Sequence, residues 1–320
     1  MRHPLLVIEN LTTQYTTDHG VVRAVEGLDL RVEAGQVFGI IGESGCGKTT
    51  TVLSILRLLG NGGQIVSGSI SFAGQNLLML SQAQMRQVRG RQIAAVFQNA
   101  SGALNPVLTV GEQIAEGLRI QRGLGRRAAW QQAGELLEQV GITESRKRLR
   151  EYPHQYSGGM RQRAMLAMAI AGQPRLLLAD EPTVALDPPV QVQILDLIER
   201  LKDELGMTVL LVTHDLGVAA ALCDELAVMY AGSLVEQAPV TGLLSDARHP
   251  YTQALLADSA AIASGQPAVA MQPPPLAGSA GCRFYLSCEY ATELCRTTPP
   301  PIRQVDENHS VRCWREMNDG

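Results

Sequence analysis

The string Gly42-Glu43-Ser44-Gly45-Cys46-Gly47-Lys48-Thr49 follows the apolar run Val37-Phe38-Gly39-Ile40-Ile41 and leads into a helix-like segment from Lys48 to about Leu59. A strand, a glycine-rich turn and a helix in that order leave few folds open, because the strand has to lie in a buried sheet with the turn at its carboxyl end. Glycines let the backbone close around an anion, so that successive N–H groups and a helix N-terminus point at it. Lys48 adds a mobile positive charge, and the Thr49 hydroxyl, with Thr50 beside it, suits a magnesium ion. The segment reads as a nucleoside triphosphate site whose candidate residues are Gly42, Glu43, Ser44, Gly45, Cys46, Gly47, Lys48, Thr49 and Thr50.

A second pattern supplies carboxylates. Leu176-Leu177-Leu178-Ala179-Asp180-Glu181 is an apolar strand that delivers two acids at its carboxyl end, where parallel sheets bind their ligands. Asp180 suits the magnesium shell, reached through water, and Glu181 is placed to polarise a water for in-line attack on a γ-phosphate. Paired acids after an apolar strand also occur in proteins without that chemistry; the glycine loop upstream gives this pair its meaning.

The rest of the pattern is α/β. Residues 5 to about 41 are β-rich, with alternation over 21–32, and the turn Asn61-Gly62-Gly63 leads to a strand at 68–72. Residues 110–150 read as helical, with Ile114, Leu118, Leu136, Leu137 and Val140 among polar neighbours. Strands at 176–179 and 209–212 flank a helical stretch at 189–205, which argues a parallel sheet with helical crossovers. A helical insertion thus splits the nucleotide-binding core. With 320 residues, 45% hydrophobic, the chain can bury a sizeable core, and a net charge of −4 offers no basic field for nucleic acid. The arginine clusters at 122–127 and 146–150 read as solvated helical faces. No apolar run reaches the ~18 residues needed to span a bilayer, and residues 1–10 lack the pattern of a secretory signal, so a soluble or peripheral protein is expected.

Between the two phosphate-site patterns, Tyr156-Ser157-Gly158-Gly159-Met160-Arg161-Gln162 resembles the signature sequence of the ATP-binding cassette (ABC) family. The resemblance covers most of the chain. Val96-Phe97-Gln98-Asn99 matches the glutamine loop, Ala185-Leu186-Asp187 the D-loop and Thr213-His214-Asp215 the switch histidine. Tyr15 stands where the family stacks an aromatic on adenine, although a strand tyrosine is also ordinary half-buried packing. The implied fold is a P-loop ABC ATPase core with an antiparallel β subdomain and a helical insertion subdomain, and the implied ligands are ATP and Mg2+. By the same resemblance Glu181 is the catalytic base, Gln98 senses magnesium and the attacking water, and His214 hydrogen-bonds the γ-phosphate and orients Glu181. Thr49, Gln98 and Asp180 form the magnesium set. The Ser157 hydroxyl can cap the helix that follows, leaving the N–H groups from Ser157, Gly158, Gly159 and Met160 at a positive helix end. In the family this end completes the nucleotide site of a second subunit, so that ATP is sandwiched between two cassettes. Tyr156 and Met160 replace the leucine and glutamine of many relatives. Val184 stands before the D-loop in place of a small hydroxyl residue and removes a hydrogen bond available across the dimer. Because Glu181 is present, hydrolysis is expected.

The finer resemblance is to ATPase subunits of oligopeptide and dipeptide importers, a family that includes nickel-uptake members. Leu104-Asn105-Pro106, Tyr152-Pro153-His154-Gln155 before the signature, Arg163 after it, and His249-Pro250-Tyr251-Thr252 carry it. It implies an ATP-hydrolysing subunit that powers uptake of short peptides. Its partners would be a second ABC ATPase subunit, a copy or a paralogue, two membrane permease subunits and an extracytoplasmic solute-binding protein, with no nucleic acid. The helical insertion would grip a permease helix, which places the chain peripherally on the cytoplasmic face of the membrane. The alternatives are the same role for nickel or another small solute, and a non-transport ABC ATPase. Proteins of the latter kind usually carry two cassettes or a coiled-coil or zinc-hook insertion, and this sequence has neither. Residues 1–260 then form the ATPase domain, with about 100–155 its helical subdomain, 261–281 a linker and 282–320 a Cys-rich extension.

The linker assignment rests on Ala, Gly and Pro enrichment around Pro273-Pro274-Pro275. Beyond it lie Cys282, Cys288, Cys295 and Cys313, four of six cysteines, at spacing C-x5-C-x6-C-x17-C. In a cytosolic chain such a cluster favours metal or redox roles over disulfides. The spacing is not the paired C-x-x-C of zinc ribbons, although His309 could supply a nitrogen to zinc. Four thiolates also suit a 4Fe–4S cluster, and some peptide-importer ATPases that resemble this chain end in such an extension; free or structural thiols are the third reading. Of the remaining two, Cys46 reads as a thiol activated by a helix N-terminus or as a small tolerated residue, and Cys223 as core.

Overall fold

The computed structural model describes residues 4–18, 20–98, 100–264 and 281–315, and the linker around Pro273-Pro274-Pro275 lies outside them. The chain forms two compact units: the described residues of Met1–Glu33, Val37–Leu78 and Val212–Gly320 make the first, and those of Ala34–Gln36 and Met79–Leu211 the second.

The first unit opens with a long antiparallel pair, β1 (Pro4–Thr17) and β2 (Gly20–Glu33). Then come β3 (Val37–Ile41), buried at every position, and α1 (Lys48–Leu56). β4 (Gly63–Phe72) returns along β1 and carries the short β5 (Gln75–Asn76), giving a sheet in the order β2-β1-β4-β5. Two sequence expectations shift here. β4 starts at Gly63 rather than at residue 68, because register shifts in β1 around Thr12 keep Gly63, Gln64, Ile65 and Ser67 paired to it. α1 stops at Leu56 rather than near Leu59, because Arg57 turns left-handed (φ 51°) and its N–H returns to Leu53 O and Ser54 O.

The second unit begins with α2 (Gln82–Val88), closed at its start by a Ser81/Gln84 capping box, and β6 (Ile93–Val96). Its helices are α3 (Ala100–Ala103), α4 (Val110–Arg122), α5 (Arg126–Gln139), α6 (Ser145–Arg148) and α7 (Gly158–Ile170). The continuous helical pattern expected over 110–150 breaks at Gly123 and Gly141, which take φ values of 69° and 78°. Arg163 and Arg200 donate to the last carbonyls of α5, at Val140 O (2.7 Å) and Gln139 O (2.8 Å). β7 (Leu176–Asp180), α8 (Pro188–Leu205) and β8 (Thr208–Thr213) complete a strand-helix-strand crossover. β7 runs parallel to β6, with Ile93 beside Leu176 and Val96 beside Ala179. Every residue of β7 and β8 is buried, as in parallel strands covered on both faces.

Back in the first unit, α9 (Leu216–Leu222), β9 (Glu225–Tyr230), β10 (Ser233–Pro239), α10 (Val240–Ser245) and α11 (Pro250–Ala263) precede the Cys-rich extension. The extension folds as α12 (Glu293–Thr297), β11 (Arg303–Asp306) and β12 (His309–Val311). β3 pairs parallel with β9, and antiparallel pairs continue outward in the order β9-β10-β12-β11. The extension therefore adds two strands to a sheet edge. Glu236, on β10 and fully buried, fastens it: its carboxylate accepts the Arg248 N–H (2.6 Å) and His249 N–H (3.0 Å) and lies 2.7 Å from His309 Nε2.

His249 is itself buried, and its Nδ1 accepts the Tyr251 N–H at 3.0 Å, while burial pushes its pKa down to about 3. In an unfolded chain the ring titrates near ~6.5. Between those values the unfolded state binds a proton that the folded state refuses, so stability falls on acidification, by up to about 1.4 kcal/mol per pH unit for this group. Urea unfolding of His249→Asn, which keeps an acceptor near Nδ1, should show lower stability at pH 7 but a shallower loss between pH 6.5 and 4 than the parent. Parallel pH profiles would exclude His249 as the source.

Candidate functional site

In the first unit, β3 runs into the loop 42–47, whose shape depends on two close backbone approaches. A Cβ at Gly42 (φ 152°) would lie 2.2 Å from Met229 O, and one at Gly47 (φ 110°) 2.3 Å from Ala24 O. Neither carbonyl can move aside as a flexible side chain would. α1 begins directly after Gly47, and no side chain caps it, so no capping oxygen competes for the first-turn N–H groups. Lys48 is 5% exposed, and its Nζ donates to Gly42 O (2.7 Å) and Glu43 O (2.8 Å). An uncapped helix start, a buried ammonium and an arched glycine backbone are the features that bind a phosphate. Glu43, Ser44, Gly45 and Thr49 are exposed and Thr50 half-buried, which leaves the Thr49 hydroxyl at the surface of the helix start.

Cys46 departs from the activated-thiol reading. It is buried, and desolvation pushes its pKa up against the opposing pull of Lys48. Tyr15 is half-buried on β1 opposite Gly63, where a Cβ would approach its ring edge to 2.8 Å. His214 is exposed just after β8, and Asp215 caps α9 by accepting the Val218 N–H at 3.1 Å.

The second unit holds the other candidates. Asp180 ends β7 and is 3% exposed. Glu181 follows in a left-handed conformation, φ 49°, which an L-residue adopts only under constraint. Ala185 in the D-loop is left-handed too, at φ 62°. Gln98 is exposed in a bend after β6, and Asn99 lies outside the described residues. Thr49, Gln98 and Asp180 offer only oxygen donors, the chemistry that magnesium takes.

Ser157 caps α7, its Oγ accepting the Met160 N–H at 3.3 Å, and Ser157 and Gly158 are exposed. The approach to this helix is held by Arg161, whose Nε donates to Pro153 O and Tyr156 O at 3.1 Å each, and by Tyr156, whose hydroxyl donates to Arg148 O at 3.0 Å. The signature and D-loop meet within this unit: a Cβ at Gly158 would lie 3.5 Å from Leu186 Cδ2, and one at Gly159 only 2.7 Å from Val190 Cγ1.

The four C-terminal cysteines share one neighbourhood. Cys282 N–H donates to Cys295 O at 2.7 Å, and the thiol of Cys282 is pushed up to about 11 by burial first, with the other three cysteines raising it further. None of the four is joined in a disulfide. Among the described residues, no three His, Cys, Asp or Glu side chains are arranged to hold a metal ion, so the cysteines as placed do not fit a 4Fe–4S cluster or zinc. The zinc reading loses His309 as well, since its Nε2 faces the Glu236 carboxylate in the core.

One residue beside the phosphate loop escaped the sequence reading. Tyr251 Oη accepts the Glu43 N–H at 3.1 Å from 208 positions along the chain. The motif His249-Pro250-Tyr251-Thr252 marked the segment without indicating what it touches.

Any side chain at Gly47 has to displace backbone. Gly47→Ala should weaken MgATP binding by about 5- to 30-fold, the equivalent of forcing an L-residue into left-handed space, measured by isothermal titration of the folded variant; parent-like affinity would separate the loop shape from nucleotide binding.

Comparison with known proteins agrees with this geometry. Residues 25–184 match the ABC transporter family, and residues 235–295 the C-terminal region of oligopeptide/dipeptide transporters. A Sinorhizobium fredii protein named for peptide ABC transporter ATP binding is 46% identical over 97% of this chain and 95% of its own. A Brucella abortus protein named for peptide import ATP binding is 43% identical over 97% and 94%. Among solved structures, the ATP-binding cassette MJ0796, seen as a post-hydrolysis dimer bound to ADP and Pi, matches at TM-score 0.66 and 28% identity over 73% of this chain and 98% of its own. The cassette cbiO1 of Clostridium perfringens, part of the transporter complex cbiONQ, matches at TM-score 0.64 and 25% identity over 76% and 91%. With an uncapped, glycine-arched helix start after a buried strand and this extent of similarity, the chain belongs to the ABC transporter family.

Proposed function

We propose that this chain is the ATP-hydrolysing, nucleotide-binding subunit of an importer that takes up short peptides. The observation that carries the reading is the start of α1: a backbone arch with no room for a side chain at Gly42 or Gly47, a buried Lys48 and a helix N-terminus without a side-chain cap. The peptide substrate is supported by the names of the relatives and by the match of residues 235–295 to the oligopeptide/dipeptide C-terminal region. Residues 1–260 act as the ATPase domain, with 100–155 its helical subdomain and 282–320 an accessory extension.

In this reading Lys48 and the loop N–H groups hold the β- and γ-phosphates, and Thr49, Gln98 and Asp180 hold magnesium. When bound, magnesium neutralises charge on the phosphate oxygens. Glu181 accepts the proton of the attacking water, and its constrained backbone favours a functional role, since strain of about 1–3 kcal/mol persists only where the surroundings impose it. His214 orients the γ-phosphate and Tyr15 stacks on adenine. The exposed start of α7 acts in trans on the nucleotide of a second cassette, and Val184 favours an unlike partner there.

The working assembly would add two permease subunits and an extracytoplasmic solute-binding protein, with this chain peripheral on the cytoplasmic face of the membrane. No helix among the described residues is long and apolar enough to cross a bilayer. A 4Fe–4S cluster on Cys282, Cys288, Cys295 and Cys313 has spacing and resemblance behind it but not the placement of the thiols; protein purified anaerobically should therefore be colourless and iron-free, and a brown sample with absorbance near ~400 nm would restore the cluster.

Glu181→Gln should keep MgATP binding, trap a dimer and cut turnover by ~10²-fold or more as proton acceptance is lost. Near-parental hydrolysis by that variant would move the base elsewhere. Lys48→Ala should instead weaken nucleotide binding. The peptide reading is tested by uptake of labelled di- and oligopeptides into cells with and without the gene, and uptake that does not differ would reassign the solute.

A further inference from the structure

The Glu43 peptide is gripped from two sides. Lys48 Nζ reaches Glu43 O at 2.8 Å and the preceding Gly42 O at 2.7 Å, while Glu43 N–H donates to the phenolic oxygen of Tyr251 at 3.1 Å. Tyr251 sits at the start of α11 with none of its surface exposed, and burial holds its pKa above the ordinary range, so it stays a neutral hydroxyl. Its ring lies against Tyr230 (centroids 4.5 Å apart) and Phe284 (5.5 Å), and Phe284 also meets Tyr230 edge-on at 5.3 Å. Phe284 belongs to the Cys-rich extension, two residues beyond Cys282. The same extension is fastened through His309 to Glu236, which also accepts the N–H groups of Arg248 and His249 immediately before α11.

We infer that Tyr251 is a positioning residue for ATP binding, acting through the Glu43 peptide, and that Phe284 makes the Cys-rich extension part of the support of the phosphate loop. A phosphate loop binds by the direction of its amides, and a rotation of the peptide that joins Gly42 to Glu43 would carry Gly42 O off Lys48 and re-aim the loop N–H groups that follow. The phenol sets that direction at Glu43, because turning away would leave a polar hydrogen without its acceptor. Phe284 and Tyr230 enclose the phenol ring, so its hydroxyl has little freedom to follow the loop if the loop shifts. The extension thereby reaches the nucleotide without touching it.

The inference rests on the loop being the ATP site, and the test separates the two. Isothermal titration of the full chain with MgATP should give a dissociation constant about three- to tenfold higher for Tyr251→Phe, which keeps the ring and removes one neutral hydrogen bond. Its melting temperature should move by only a few degrees. Phe284→Leu should raise the dissociation constant less, and the double variant should fall short of the sum, because both act through one peptide. In steady-state hydrolysis KM should rise with kcat unchanged. Parent-like affinity in Tyr251→Phe, or a fall in melting temperature alone, overturns the positioning role. Additive effects overturn the part given to Phe284. Failure of the parent chain to bind MgATP would instead sink the ATP reading itself.

Discussion

Lys48 is an ammonium group taken almost wholly out of water, and its partners at 2.7 and 2.8 Å are two carbonyls of the loop that precedes it. Carbonyls soften the cost of burying that charge without cancelling it, so the group stays available to an anion. The loop can offer them only because its backbone passes so close to Met229 O and Ala24 O that Gly42 and Gly47 have no space for a side chain. β3, buried along its whole length and paired to β9, holds the base of the arch in place. Packing, backbone conformation and charge thus converge on one short segment.

The two helix starts on which the proposed chemistry depends are finished differently. α1 has glycine at its cap and no side-chain acceptor, which suits a helix end whose donors meet a ligand. α7 is capped by Ser157, yet Ser157 and Gly158 are exposed and the D-loop packs beside them. A donor-rich end presented at a surface makes sense if its anion arrives from elsewhere, and this is the arrangement on which the proposed two-cassette sandwich depends. The left-handed residues Glu181 and Ala185 bracket the turn between β7 and α8, so the segment with the acid is also the one under backbone constraint.

The Cys-rich extension gains its place through polar burial as much as through apolar area. Glu236 is fully buried, with the N–H groups of Arg248 and His249 and the ring nitrogen of His309 converging on it from two segments, and removing any one of them would leave a buried polar group poorly satisfied. That requirement aligns β12 with β10 and sets Phe284 against Tyr251 and Tyr230. The cysteines share a neighbourhood as a consequence of this docking.

Much of the candidate site's geometry is legible in sequence, because a loop of this kind is local: consecutive residues, a strand before and a helix after, with glycine where the arch forbids a Cβ. The same holds for the acids at the end of β7, the Ser157 cap and the α/β alternation, all of which rest on periodicity or on neighbours a few residues apart. What sequence misplaced was also physical: the start of β4 and the end of α1 depend on a bulged partner strand and a left-handed Arg57, and the helical run over 110–150 is cut by two glycines. Tyr251 under Glu43, the His309–Glu236 anchor and the burial of Cys46 were decided only in three dimensions. They join residues far apart along the chain, and desolvation and long-range hydrogen bonding leave no local pattern for a sequence to display.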